Sequence, residues 1–299
     1  MQALQHHKIK VETLSTSFHQ RSDLTIKIAR LDLIHPIISG NKWYKLRYYL
    51  EDAIQQNKKR IVTWGGAWSN HIVATAATCH YSGMKSLGLI RGELAEHPSA
   101  TLQEAAKLGM EFYFIPRENY RHKIIPEQIT NNEDYIIPEG GYGLLGVKGA
   151  ATILEQVDKA AYSHIVCAVG TGTMMAGIIH ASSATTRVIG IPVVKGADAI
   201  QSSIEKMLTQ PTAHWQLIPG YEWGGYAKHP APLLDFMNQF YQTCQIPTDI
   251  VYTGKLFYAL RDLVANDYFP SGSKILVIHS GGLQGNRSLH PATLRFNVN

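Results

Sequence analysis

Cysteine is scarce in this 299-residue chain, with only Cys79, Cys167 and Cys244 present. The number is odd, the separations are long and no CxxC pair occurs, so a disulfide framework is excluded and reduced thiols in a cytoplasmic protein are expected. Charge is also thin. Asp, Glu, Lys and Arg make up 17% of residues, against about 25% in ordinary soluble domains. The 28 basic minus 23 acidic residues leave +5 without a basic stripe. The one dense run, Lys58-Lys59-Arg60, reads as a solvated helix end, so no nucleic-acid partner is expected. Long apolar runs are missing too: nothing approaches the ~18 uninterrupted residues that a membrane helix needs. Met1 to Thr16 mixes His, Lys, Glu and Ser and lacks the apolar segment of a secretory leader. Of the 14 histidines, none falls in an HExxH, HxxxH or Cys/His cluster, and His71 and His80 would face opposite sides of one helix. No metal site is expected.

What is present is an apolar chain, 45% hydrophobic, long enough for two packed α/β domains. Strand-like runs alternate with helical periods, and most strands end in a glycine-containing turn that opens a helix, the pattern of a parallel-sheet α/β protein. The expected elements begin with a strand over Leu24–Leu33. A helix follows on which Leu46, Tyr49, Leu50, Ala53 and Ile54 recur at helical spacing, with Asn41 as its cap. A small sheet is expected from strands 60–64, 86–90, 111–115 and 135–137, with helices over 69–80 and 99–108. Beyond Pro138-Glu139-Gly140-Gly141 come a helix over 144–157, strand 164–169, helix 173–181, strand 187–194, a helix around 200–208, two more helices and a last strand, 274–279. That order can bring the turns near Gly40, Gly170 and Gly254 to one cleft between two sheets.

Five turns carry polar chemistry. Gly170-Thr171-Gly172-Thr173 joins the strand HIVCAV to a helix, and its freed amides and the helix dipole suit a phosphate. The spacing is neither a GxGxxG fingerprint nor a Walker loop, no acidic residue ends the next strand at Val193-Val194-Lys195, and a plain βα turn also fits. Gly65-Gly66-Ala67-Trp68-Ser69-Asn70-His71 has Ser69 as a helix cap, with the amides of Asn70 and His71 and the Asn70 side chain available to a carboxylate. Simple capping fits equally. No GxSxG elbow exists, which argues against a serine hydrolase. Lys42 lies in the first turn of its helix, where the dipole should lower its pKa and make it a candidate Schiff-base former; an ordinary surface lysine is the alternative. Lys45, three residues on, is expected on a neighbouring face. Val251-Tyr252-Thr253-Gly254-Lys255 and His279-Ser280-Gly281-Gly282-Leu283-Gln284-Gly285-Asn286 place further polar groups where parallel strands end.

Taken together, SGNKWYKL at Ser39 to Leu46, GGAWSNH at Gly65 to His71, IPEGG at Ile137 to Gly141, VGTGTMMAG at Val169 to Gly177, VYTGK at Val251 to Lys255 and HSGGLQGN at His279 to Asn286 resemble the pyridoxal-phosphate enzymes grouped as 1-aminocyclopropane-1-carboxylate deaminases and D-cysteine desulfhydrases. The resemblance runs from about Leu24 to Leu289. It implies the tryptophan-synthase-β-like fold (fold type II), a two-domain, three-layer parallel-sheet α/β architecture. A large cofactor-binding domain would comprise residues 1–43 and 143–299, and a small inserted domain residues 44–142. By position it implies Lys42 as the cofactor lysine and Ser69 near the reacting substrate atoms. Asn70 would stand beside the 3′-oxygen, with adjacent amides, His71 included, at the substrate carboxylate. Gly170, Thr171, Gly172 and Thr173 would form the phosphate cup, and Tyr252 would be the active-site tyrosine. Members commonly form homodimers. The lead-in before Leu24 is shorter than in most of the group.

Two positions depart from the ring-opening members, which carry Glu after the tyrosine and Leu between His and Gly-Gly; here stand Thr253 and Ser280. A hydroxyl near the ring nitrogen supplies no permanent charge, so the resemblance implies β-elimination from a small amino acid such as D-cysteine, giving a 2-oxo acid, ammonium and sulfide. Ring opening of 1-aminocyclopropane-1-carboxylate, and racemase or dehydratase activity on the same cofactor, are the alternatives. Simple cofactor storage would need neither Lys42 nor the Ser69/Tyr252 pair.

Overall fold

The computed structural model describes residues 8–208 and 214–296, so the first seven residues of the Met1–Thr16 segment lie outside the described residues. The chain opens with β1 (Lys10–Thr13), α1 (Thr16–His19), β2 (Thr25–Arg30) and α2 (Asn41–Gln55). Next come β3 (Arg60–Gly65), α3 (Asn70–Ser82), β4 (Lys85–Arg91), α4 (Ala100–Lys107), β5 (Met110–Ile115), α5 (Arg117–Arg121) and β6 (Asp134–Ile137). The remainder is α6 (Leu144–Ala151), β7 (His164–Val169), α7 (Thr173–Ala181), β8 (Arg187–Pro192), α8 (Ala197–Met207), β9 (His214–Leu217), α9 (Ala231–Cys244), α10 (Thr253–Ala265) and β10 (Lys274–His279).

Two sheets result. One has six strands in the order β1-β2-β10-β7-β8-β9, all parallel except the β1 edge, and the other four parallel strands in the order β5-β4-β3-β6. Strand β7 is buried at every residue, which is why it reads as a continuous apolar run. Its side chains still alternate. Ile165, Cys167 and Val169 join one core with α2, α6 and α7 residues, while Val166 and Ala168 join the core under α9 and α10. A sheet buried on both faces between helical layers is the expected three-layer α/β arrangement. The four-strand sheet carries smaller cores on its two faces, one around Val62, Trp64 and Leu89, the other around Ile72, Ile90 and Leu102. Among the described residues no helix is long and apolar enough to cross a membrane.

Several boundaries differ from the sequence expectation. The strand expected to reach Leu33 stops at Arg30, where a tight turn over Leu31–Leu33 lets the Arg30 guanidinium grip Asp32 at 2.7 Å and Glu12 at 2.6 Å. The helix expected over 144–157 ends at Ala151 and tightens into a 3-10 segment, and β8 ends at Pro192, which has no N–H to extend a ladder. Strands β1 and β9 were not expected at all; each is a four-residue edge whose half-exposed side chains give no strong periodicity. Helix α2 is capped by Gly40 rather than Asn41.

Gly40 has φ +69°, and a Cβ built there would lie 1.9 Å from the Ser280 carbonyl oxygen and 2.8 Å from the Gly281 Cα. The start of α2 therefore rests directly on the turn after β10, with Asn41 N–H donating to Ser280 O at 3.1 Å. Both contacts are to backbone, so a side chain at position 40 has nowhere to go. Gly83 is the control: it has a similar φ of +68° but open space around it. Urea unfolding should show Gly40→Ala losing about 2 kcal/mol or more, with Gly83→Ala losing less. Equal losses would mean that the close approach contributes nothing beyond backbone strain.

Candidate active site

The C-terminal ends of the parallel strands β2, β7 and β10 lie at one edge of the large sheet, where α/β proteins form ligand crevices. A cavity sits there, lined by Asn41, Lys42, Lys45, the Gly170–Gly172 turn and Tyr252 among others. Lys42 is the second residue of α2, and its Nζ donates to Asn41 Oδ1 at 3.1 Å. Its amine is pushed down to about 8, as expected in direction, but the main cause is burial and not the helix dipole; the negative charge of Asp249 opposes the shift.

Lys45 lies in the same cavity, which corrects its expected position on a neighbouring face. It is buried, its Nζ stands 3.4 Å from Gly140 O, and burial followed by the Lys42 charge holds it well below the ordinary lysine range. The i, i+3 spacing from Lys42 was the available signal, because residues three apart share a helix face. Opposite them, Gly172 takes φ +83° at the start of α7, and Thr171 and Thr173 hydroxyls meet at 3.1 Å. Gly170 packs against the Tyr252 ring, whose Cε1 would be 3.2 Å from a Cβ there.

The turn before α3 supplies Ser69, Asn70 and His71. Ser69 caps the helix by accepting from the His71 N–H at 3.2 Å, so that amide, expected at a substrate carboxylate, is already engaged. The His71 ring is buried, with Nε2 2.8 Å from Thr63 Oγ1, and burial together with Lys42 and Lys45 keeps it neutral. Asn70 Nδ2 donates to Gly282 O at 3.1 Å, while its Oδ1 is buried without a partner. That bond ties the turn of the small sheet to the turn after β10.

Around Tyr252 the decisive residue is one that sequence reasoning missed. Asp249 is fully buried and accepts from the N–H groups of Val251, Tyr252 and Thr253 at 2.8–2.9 Å and from Thr253 Oγ1 at 2.6 Å. Burial pushes its carboxyl up while these four donors pull it down. The Thr253 hydroxyl also accepts from Asp249 N at 2.7 Å, so its single proton is spent on Asp249, and the structure gives it a capping task instead of the expected one at a ligand ring. Tyr226, also missed, hydrogen-bonds Tyr252. Burial holds the Tyr252 hydroxyl far above its ordinary pKa, so it stays protonated. Ser280 is buried beside the Gly40 crossing. Nothing in local periodicity pointed to Asp249 or Tyr226, because each acts through loop contacts made only in the folded chain.

Comparison with known proteins gives the family and the fold. Residues 12–281 match the family described as pyridoxal-phosphate dependent enzymes. The chain is 28% identical to the mitochondrial bifunctional D-cysteine desulfhydrase/1-aminocyclopropane-1-carboxylate deaminase of Arabidopsis thaliana, over 95% of this chain and 80% of that protein. It is also 28% identical to the D-cysteine desulfhydrase of Serratia proteamaculans, over 89% of each chain. A crystal structure of an ACC deaminase homologue superposes with a TM-score of 0.81 at 25% identity, covering 95% of this chain and 92% of that one. The architecture is that of the fold type II pyridoxal-phosphate enzymes.

The residues present fit pyridoxal phosphate: a buried primary amine, a glycine-rich helix start with a second lysine beside it for a phosphate, and an unpartnered buried amide oxygen on Asn70. An amine with a pKa of about 8 is mostly protonated at pH 7 and free above pH 8. Cofactor-stripped protein should therefore take up pyridoxal phosphate at a rate that rises with pH and levels off past a midpoint near 8, followed by visible absorbance, and Lys42→Ala should abolish covalent uptake. A midpoint near the ordinary lysine value of about 10.4 would contradict burial of this amine.

Proposed function

The chain belongs to the pyridoxal-phosphate-dependent enzyme family, and from that premise we propose that it catalyses β-elimination from a small amino acid of the D-cysteine type, releasing a 2-oxo acid, ammonium and sulfide. When bound, pyridoxal phosphate supplies an aldehyde that captures the substrate amine and a ring that draws electrons from the substrate Cα. The observation that carries the proposal is the half-buried Lys42, which shares one cavity with the Gly170–Gly172 turn and Tyr252.

In this reading Lys42 would hold the cofactor and would move the substrate Cα proton at Nζ; an amine near pKa 8 is suited to both giving and taking a proton at neutral pH. Lys45 and the turn Gly170, Thr171, Gly172 and Thr173 bind the phosphate. Asn70 orients the ring edge. Ser69 and the turn it caps receive the substrate. The Tyr252 hydroxyl, protonated and hydrogen-bonded to Tyr226, stands ready to donate to a departing group, and Asp249 fixes its backbone. Among the hydroxyls that replace the acidic and apolar groups of ring-opening members, Thr253 is engaged by Asp249, which leaves Ser280 as the one for the ring nitrogen. Neither brings a fixed negative charge, which favours a thiolate leaving group over a carbon one. The same reading takes residues 44–142 as an inserted domain, expects a homodimer and places the protein in the cytoplasm.

Ser69→Ala and Tyr252→Phe should retain bound cofactor and lose roughly 10²-fold or more in kcat; loss of cofactor with activity restored on resupply would make the residue structural. Wild-type kcat/KM should be higher for D-cysteine than for 1-aminocyclopropane-1-carboxylate. The reverse ratio would assign the chain to the ring-opening deaminases and show that Thr253 and Ser280 do not set specificity.

A further inference from the structure

Beyond Ser69 the site opens into a space of about 1280 Å³ lined by Trp68, Ser69, Arg91, Arg117, Glu139 and Tyr226 among others. Arg91 ends β4 and Arg117 begins α5, so two different elements deliver guanidinium groups to one mouth. Both arginines are exposed to the solvent of this mouth, and Arg91 Nη2 lies 3.6 Å from where a Cβ on Gly66 would stand, over the turn that leads to Ser69. The one carboxylate lining this space, that of Glu139, is already committed, accepting from Tyr120 OH at 2.6 Å and from Lys123 Nζ at 2.5 Å. Neither Arg91 nor Arg117 forms an ion pair among the described residues. The cationic character continues outward, where Arg91, Arg117, Arg121 and Lys123 border an adjoining space of about 940 Å³.

A substrate as small as cysteine has its one carboxylate at the Ser69 turn and a thiol with no use for two arginines. Resting on the proposed cofactor-dependent β-elimination but not on cysteine itself as the preferred substrate, we infer that the site also accepts an amino acid with a second anion on its side chain, a carboxylate or an equivalent oxyanion, bound by Arg91 and Arg117 at the cavity mouth. Guanidinium groups are the fitting partner, since they stay charged and match an oxyanion with paired donors. Arg91 also stands close enough to Tyr226 for its charge to pull that hydroxyl's pKa down against burial. Arg91 and Tyr226 thus line the same space, and Tyr226 in turn hydrogen-bonds Tyr252.

Binding to the holoenzyme, read by calorimetry and by the shift of cofactor absorbance, separates this inference from the reaction itself. The probes are both enantiomers of aspartate and glutamate against asparagine and glutamine, which keep shape and remove the charge. The acidic member of the better-bound pair should bind at least tenfold more tightly than its amide, and Arg91→Gln and Arg117→Gln should each bring that ratio toward one. A wild-type ratio within twofold of one, a ratio unmoved by both substitutions, or no binding of any acidic probe overturns the inference. Release of 2-oxo acid from D-cysteine is measured separately. If D-cysteine is turned over while the acidic preference is missing, the inference fails and the reaction stands; if the acidic preference is present without any β-elimination, the binding site stands and the reaction fails.

Discussion

The backbone of Gly40 lies against the Ser280 carbonyl with no room for a side chain, and the rest of the site takes its position from that contact. It sets the start of α2 on the C-terminal end of β10, which lies between β2 and β7 in the large sheet. Lys42 follows two residues later and enters the cavity beside the Gly170 turn that ends β7. Gly282, two residues past Ser280, receives Asn70 from the small sheet. One close approach of two glycine-bearing turns thus gathers groups from opposite ends of the chain.

Burial then sets the chemistry. Lys42, Lys45 and His71 are all shifted toward the neutral form, chiefly by burial; the Lys42 charge adds to the shift of Lys45, and both lysines add to that of His71. Such a cluster is unfavourable in an empty site and becomes favourable when a phosphate and a carboxylate enter. Asp249 plays the opposing part. It binds four donors of the Tyr252–Thr253 turn and adds a negative charge that keeps the Lys42 amine from falling further.

The sequence made the architecture and much of the site legible, because parallel strands with both faces buried and glycine-rich βα turns leave strong local signals. Lys42, Ser69, the 170–173 turn and Tyr252 all lie on such turns. The less legible parts depend on contacts between distant segments. Edge strands β1 and β9 are short and half exposed, Asp249 and Tyr226 sit in loops without periodicity, and the Thr253 hydroxyl looks available until Asp249 is seen to hold it. The position of Lys45 was readable from its i, i+3 spacing, yet its burial was not, since that depends on α6 and Gly140 closing over α2.

The central claim is that a single lysine, delivered by the Gly40 crossing, holds the cofactor. Borohydride reduction of the yellow holoenzyme, followed by peptide mapping, tests it most directly. The label is predicted on Lys42 alone. A label on Lys45, the more deeply buried lysine in the same cavity, or on Lys255, whose Nζ is instead surrounded by the carbonyls of Val193, Glu222 and Gly225, would contradict the account.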